Sequence, residues 1–213
     1  MTEQLLQQIA AHHELVALDA GEMSTLKANG MTFSVRAYHA KGLGHVSVMR
    51  AKGFFGLMKM DTLIINPTER DLPLYSYDRI FAAGNDTLII ELYDTTLEVF
   101  DEDAMRALLD AYADLAERDP GEHWYDSIKL SASISKKAKK KQTPRVDALT
   151  LVHFDAYITA KVPEVSDPSA KNEKTLSYVN GLLTQGGPST DVFKKVLGED
   201  RISELFHRVL FGV

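Results

Sequence analysis

Five β-rich runs follow one another between Met31 and Val99 with only turn residues between them: FSVRAY, HVSVMRA, LMKMDTLIIN, YSYDRIFA and TLIIELYDTTLEV. The separators KGLG, KGFFG, PTERDLP and AAGND are rich in turn residues and far shorter than the roughly dozen residues that a parallel crossover needs. This spacing predicts an antiparallel meander of about five strands, with Gly84-Asn85-Asp86 marking a tight hairpin. Helical patterns flank it. Residues 3–17 bring Leu5, Leu6, Ile9 and Val16 near one helical face that ends near Gly21, and DEDAMRALLDAYADLAER repeats Met105, Leu108, Leu109, Tyr112 and Ala116 behind an acidic first turn. IKLSASIS allows one more strand, and from about Val146 the pattern is mainly helical. The expected fold is α+β, a three-layer α/β/α sandwich around a central antiparallel sheet, built as a single domain over residues 1–213.

Composition narrows the chemistry. With 45% hydrophobic and 25% charged residues the chain has material for one sizeable core. It has no cysteine, which removes disulfides, thiolate metal ligands and cysteine nucleophiles. A formal charge of −6 argues against sequence-independent nucleic-acid binding, which rests on a broad cationic field. The N-terminal MTEQLLQQIAAHHEL lacks the cationic lead and apolar stretch of a signal peptide, and no run reaches the roughly 18 apolar residues of a membrane span. A cytoplasmic location with no membrane partner is the expectation. His12, His13, His39, His45, His123, His153 and His207 form no metal-ligand spacing, so no metal site is expected. KGLGH holds a GxG without the third glycine of a dinucleotide site and reads as a turn.

Three features carry possible chemistry. In YSYDRIFA, strand alternation puts Asp78 on one face with Ser76, Ile80 and Ala82, and Tyr75, Tyr77, Arg79 and Phe81 on the other. If that face is covered, desolvation raises the Asp78 pKa and suits it to proton donation; if it is open, Asp78 is an exposed strand acid. Asp61 shares a face with Leu57, Lys59, Leu63 and Ile65, so an ion pair with Lys59 competes with a pocket role. Five lysines fall among residues 136–141 in an otherwise acidic chain: either a solvated loop, or a docking patch for an acidic partner or anionic ligand, built on Lys137, Lys139, Lys140 and Lys141.

Taken together, DLPLYSYDRIFAAGNDTLIIELYDTT, HWYDSIKLSASISK with the following RVDALTLVHFDAYITA, and TDVFKKVLGEDRISELFHRVLFGV resemble, in order and spacing, the ferredoxin-dependent bilin reductases of the phycocyanobilin:ferredoxin oxidoreductase type. That superfamily includes the red chlorophyll catabolite reductases. The resemblance implies the same α/β/α sandwich, with an open-chain tetrapyrrole such as biliverdin held between the sheet and the C-terminal helices. It also implies no bound metal or flavin, single electrons from external ferredoxin or flavodoxin, and protons from protein acids. Carried over by position, the proton-donating aspartate falls on Asp78, and the pocket histidine seventeen positions earlier falls on Asp61. A family glutamate falls on Ser47, a second acid near the C-terminal helices on Gly187, and the arginine that pairs with a substrate propionate near Lys136. Ser76, the small residue of the aromatic–small–x–aspartate element, joins Ser47 and Lys136 as an implied substrate contact.

The implied function is a ferredoxin-dependent reductase of a linear tetrapyrrole, with Asp78 as proton donor and Asp61 in the pocket. Loss of the histidine leaves a second reading, a tetrapyrrole carrier or sensor on the same fold. A third is an interaction protein whose pocket is filled, because fold does not fix function.

Overall fold

The structure is a computed structural model that describes residues 1–187 and 190–213. An antiparallel sheet of eight strands runs through it: β1 (Leu15–Leu18), β2 (Thr25–Ala28), β3 (Met31–Ala40), β4 (Gly44–Gly53), β5 (Met58–Asn66), β6 (Leu74–Ala82), β7 (Asn85–Tyr93) and β8 (Ile134–Lys139). Strands β3 to β7 are the five-run meander, each paired with the next in antiparallel register. β8 closes one side against β7, and β1 and β2 both pair with β3 on the other.

Helices cover both faces. On one lie α1 (Thr2–His12), α2 (Asp103–Leu109) and α3 (Thr143–Ile158). Leu5, Ile9, Met105, Leu149 and Phe154 pack there on the inward Val46, Leu63, Tyr75 and Leu88. On the other lie α4 (Pro168–Gln185), α5 (Thr190–Leu197), α6 (Glu199–Glu204) and a terminal π-helix over Leu205–Phe211. Tyr178, Phe193, Leu205 and Phe206 pack there on Phe33, Val35, Met49 and Ile64. Strand alternation distributes the two cores, and the α+β three-layer sandwich follows from it. Among the described residues no helix is long and apolar enough to cross a membrane.

Several local expectations are corrected. The opening helix stops at His12, because His13 turns to extended backbone at φ −138°, and Val16 belongs to β1. The β6–β7 turn is Ala83-Gly84, both at positive φ, and Asn85 already pairs with Ala82. The helix expected over residues 101–118 shortens to Asp103–Leu109 and tightens into a 3₁₀ turn over Asp110–Tyr112. The lysine run is a loop only at its end, where Lys140 and Lys141 form an exposed 3₁₀ turn. Lys136, Lys137 and Lys139 belong to β8, which pairs with β7 on one side and receives hydrogen bonds from and to the 116–118 segment on the other. Tertiary pairing overrides the low strand propensity of lysine.

The π-helix meets the sheet through three carbonyls. His45 Nε2–H donates to Val209 O at 2.9 Å, Ser47 Oγ to Leu210 O at 2.8 Å, and Asn66 Nδ2 to Phe211 O at 2.8 Å. All three donors are buried side chains of β4 and β5. They satisfy carbonyls that the end of any helix leaves without intrahelical partners.

Candidate functional site

Between the sheet and its second helical layer lies a two-chambered cleft. The outer chamber, about 250 Å³, is bounded by Met31, Phe33, Met58, Met60, Arg118, His123 and Phe193. The inner, about 80 Å³, is bounded by Thr62, Ser76, Tyr93, Tyr178, Leu182 and Phe211. Asp78, Glu91 and Tyr125 border both and therefore stand where the chambers meet. Methionine on three outer positions gives an apolar wall that adapts to a ligand's outline.

Asp78 reaches the cleft because β6 alternates. Tyr75 and Tyr77 go to the α3 side, where Tyr75 lies 4.6 Å from the Tyr157 ring and 5.3 Å from Phe154. Arg79 goes there too, held by Asp86 and at 3.1 Å by Asp147. Directly across from Asp78 in the β5–β6 register is Thr62, whose Oγ1 donates to the Asp78 carboxylate at 2.5 Å. Asp78 lines both chambers of the cleft, and enclosure by protein raises its pKa to about 6. The Glu91 charge pushes the same way, and the Thr62 hydrogen bond opposes both.

Glu91 was not singled out from the sequence. It lies on β7 opposite Ser76, one alternation step from Ile89, the partner of Asp78. Tyr93 Oη donates to its carboxylate at 2.6 Å. Tyr93 belongs to an aromatic cluster: its ring centroid is 4.3 Å from Tyr178 and 5.5 Å from Tyr125, and His123 stacks on Tyr125 at 4.8 Å. Burial raises the pKa of Tyr93, Tyr125 and Tyr178, so all three stay neutral hydroxyl donors. Alternation within TLIIELY already puts Glu91 with Ile89 and Tyr93; the pairing register with β6, which sequence does not reveal, puts it beside Asp78.

The structure brings Asp78 and Ser76 together in the cleft and separates the rest. Asp61 is on the opposite face of β5 with Leu63, ion-paired to its register partner Arg50 at 3.1 Å and not to Lys59; this corrects its pocket role. The position facing Asp78 is Thr62, one residue on, and one residue reverses the face. Ser47 is on the cleft side of the sheet, but the π-helix seals it and Leu210 O takes its hydroxyl, so it is not a ligand contact. Lys136 points to the α1–α3 layer, buried, with its ammonium on Leu115 O and Glu117, which removes it as an anchor for a ligand carboxylate. Gly187 borders the inner chamber and supplies no acid. Lys137, Lys139, Lys140 and Lys141 are exposed at the β8 side of the molecule. At the outer rim Arg118 was missed: among the described residues its side chain makes one weak hydrogen bond, to Ser135 Oγ at 3.4 Å, and has no carboxylate partner. Among those residues, no three His, Asp or Glu side chains converge as a metal ion requires.

No protein-family model matches the chain, and no curated protein matches its sequence. A solved structure does: phytochromobilin synthase from tomato in complex with biliverdin aligns with a TM-score of 0.74 over 99% of this chain and 81% of that one. The fold is that of phytochromobilin synthase. Sequence identity to phytochromobilin synthase is 17%, so the likeness is one of architecture. The α+β sandwich expected from the meander is therefore a known arrangement, and phytochromobilin synthase shows that it accommodates biliverdin in at least one protein.

Proposed function

We propose that this chain reduces a linear tetrapyrrole of the biliverdin class, taking electrons one at a time from an external carrier of ferredoxin or flavodoxin type. The observation that carries the reading is the pairing of Asp78 and Glu91 in one cleft, the first with a pKa of about 6, on a fold shared with a biliverdin-bound protein. A carboxyl group that holds its proton near neutrality is a competent general acid.

In this reading the flat ligand lies against the sheet with one edge at Asp78. An electron from the carrier makes the ligand a radical anion, and the Asp78 O–H bond breaks to protonate it. Solvent returns the proton to Asp78, and a second electron and a second proton complete the dihydro product. Two carrier molecules are oxidised and two protons consumed per ligand. Arg118 accepts the role first given to Lys136: its planar fork pairs a ligand carboxylate in two parallel hydrogen bonds. The exposed Lys137, Lys139, Lys140 and Lys141 favour an acidic carrier, in a contact that weakens with salt.

The test is anaerobic titration of the purified protein with biliverdin, followed by reduced ferredoxin and its reductase, with absorption spectra throughout. A defined complex whose bands move with electron supply supports the proposal, and Asp78→Asn should then slow turnover by about a hundredfold or more while retaining binding. Binding with no electron-dependent change makes the protein a tetrapyrrole carrier. No binding leaves the likeness as one of fold.

A further inference from the structure

At the turn between β4 and β5 the backbone holds Phe54 and Phe55 in the left-handed region, at φ 50° and 55°. Bulky side chains avoid that conformation, and it persists only where the surroundings enforce it. Yet the aromatic rings it presents stand largely in solvent. Phe55 is fully exposed, Leu57 is 76% exposed and Phe54 55%. A contiguous apolar projection of this kind marks an interaction site.

A basic band lies directly beneath it. Lys52 and Lys59 face one another in the β4–β5 register, and Lys27 joins them through Thr32, which pairs with Lys27 on one side and Lys52 on the other. All three lysines are exposed, and none has an ion-pair partner among the described residues. Like charges directly opposed across a strand pair destabilise it, and an anionic surface relieves that repulsion. The chain as a whole carries −6, so this band is a local departure from its overall charge.

We infer that this hairpin tip docks the protein on an anionic lipid bilayer, Phe55 and Leu57 entering the acyl boundary while Lys27, Lys52 and Lys59 meet headgroup phosphates. Convexity selects the bilayer over a folded protein partner. A stable protein interface needs roughly 800 Å² of complementary surface on each side, which three side chains at a hairpin end do not offer. A fluid bilayer takes a projecting apolar tip with no matching pocket, and surface lysines add to the attraction. The inference stands whether or not the cleft handles a tetrapyrrole.

The experiment is sedimentation of the full chain with vesicles of phosphatidylcholine alone and of equal parts phosphatidylcholine and phosphatidylglycerol. Partition onto the anionic vesicles is expected, decreasing with salt. Phe55→Ser with Leu57→Ser should weaken it about tenfold or more, and Lys52→Gln with Lys59→Gln by about tenfold or more on anionic vesicles alone. Both pairs of residues are solvent-exposed, so an unchanged circular dichroism spectrum and Tm are expected. Brominated lipid should quench Phe55→Trp emission beyond the Trp124 background. Absence of partition, or equal partition by the parent and the Phe55→Ser, Leu57→Ser variant, overturns the inference. Absence of partition together with impaired binding of an acidic carrier by that variant overturns it in favour of a protein partner.

Discussion

Thr62 and Asp78 face each other across β5 and β6, and the Thr62 hydroxyl donates to the Asp78 carboxylate at 2.5 Å. That bond favours the ionised carboxylate, whereas burial and Glu91 favour the protonated one. Thr62→Val removes the bond and keeps the shape, so Asp78 should titrate above its present value of about 6. Carboxyl carbon NMR on the ligand-free protein reads this directly; a downward move would refute the balance described.

Asp78 also couples stability to pH. Its folded-state pKa of about 6 exceeds its ordinary 3.8, so its contribution is fully present below 3.8 and is lost as pH rises through 6. The difference corresponds to at most about 3 kcal/mol. Asp78→Asn should therefore be more stable than the parent above pH 6, with the gain vanishing toward acid. Denaturant unfolding of both proteins across that interval decides it.

His153 works with the opposite sign. It is fully buried on α3, its Nε2 bonded to Ala132 O at 2.9 Å, and burial depresses its pKa from 6.5 to about 4. Its contribution is present above 6.5 and is lost as pH falls toward 4, by about 3 kcal/mol, because the unfolded chain takes up a proton that the fold refuses. His45, also depressed by burial, adds in the same direction. Replacing His153 with Gln should flatten acid unfolding in this window even if the variant is less stable overall.

Gly181 of α4 lies under the Trp124 ring, and a Cβ there would sit 2.1 Å from the indole. Trp124 also donates to Gly186 O at 3.0 Å, fixing the segment that carries His123 and Tyr125 to the cleft. Gly181→Ala should cost about 1–3 kcal/mol despite its better helix propensity. Calorimetry reads the loss, and faster trypsin cleavage at Arg118 or Lys129 would report the freed segment.

Arg118→Met should weaken binding of a carboxylate-bearing tetrapyrrole about tenfold or more and leave the Asp78 titration unchanged. Equal affinity of the two proteins would remove Arg118 as an anchor.

The meander was legible because five runs with short turns admit few topologies, and the face carrying Asp78 was legible because a strand has a period of two. What failed was everything that depends on register. Asp61 was correctly grouped with Leu63 and Ile65, but its partner is Arg50 on the next strand instead of Lys59 on its own. Glu91 sat in a readable strand, and only pairing with β6 puts it beside Asp78. β1 was absorbed into the opening helix because Leu15 and Val16 continue an apolar pattern that His13 interrupts only through its backbone. The burial of Lys136 is not legible in the sequence, because a buried lysine needs a partner and Glu117 comes from a segment with no strand pattern of its own.

The three carbonyls of Val209, Leu210 and Phe211 that rest on His45, Ser47 and Asn66 have a consequence for biosynthesis. Phe206, Leu210 and Phe211 wall the inner chamber, and Val192 and Phe193 the outer one. Every strand leaves the ribosome before any of them, so the nascent sheet carries one face bare, with its hydrogen-bond donors waiting. The cleft thus takes shape only after every strand of the sheet has been synthesised, and until then the face it will occupy is uncovered apolar surface.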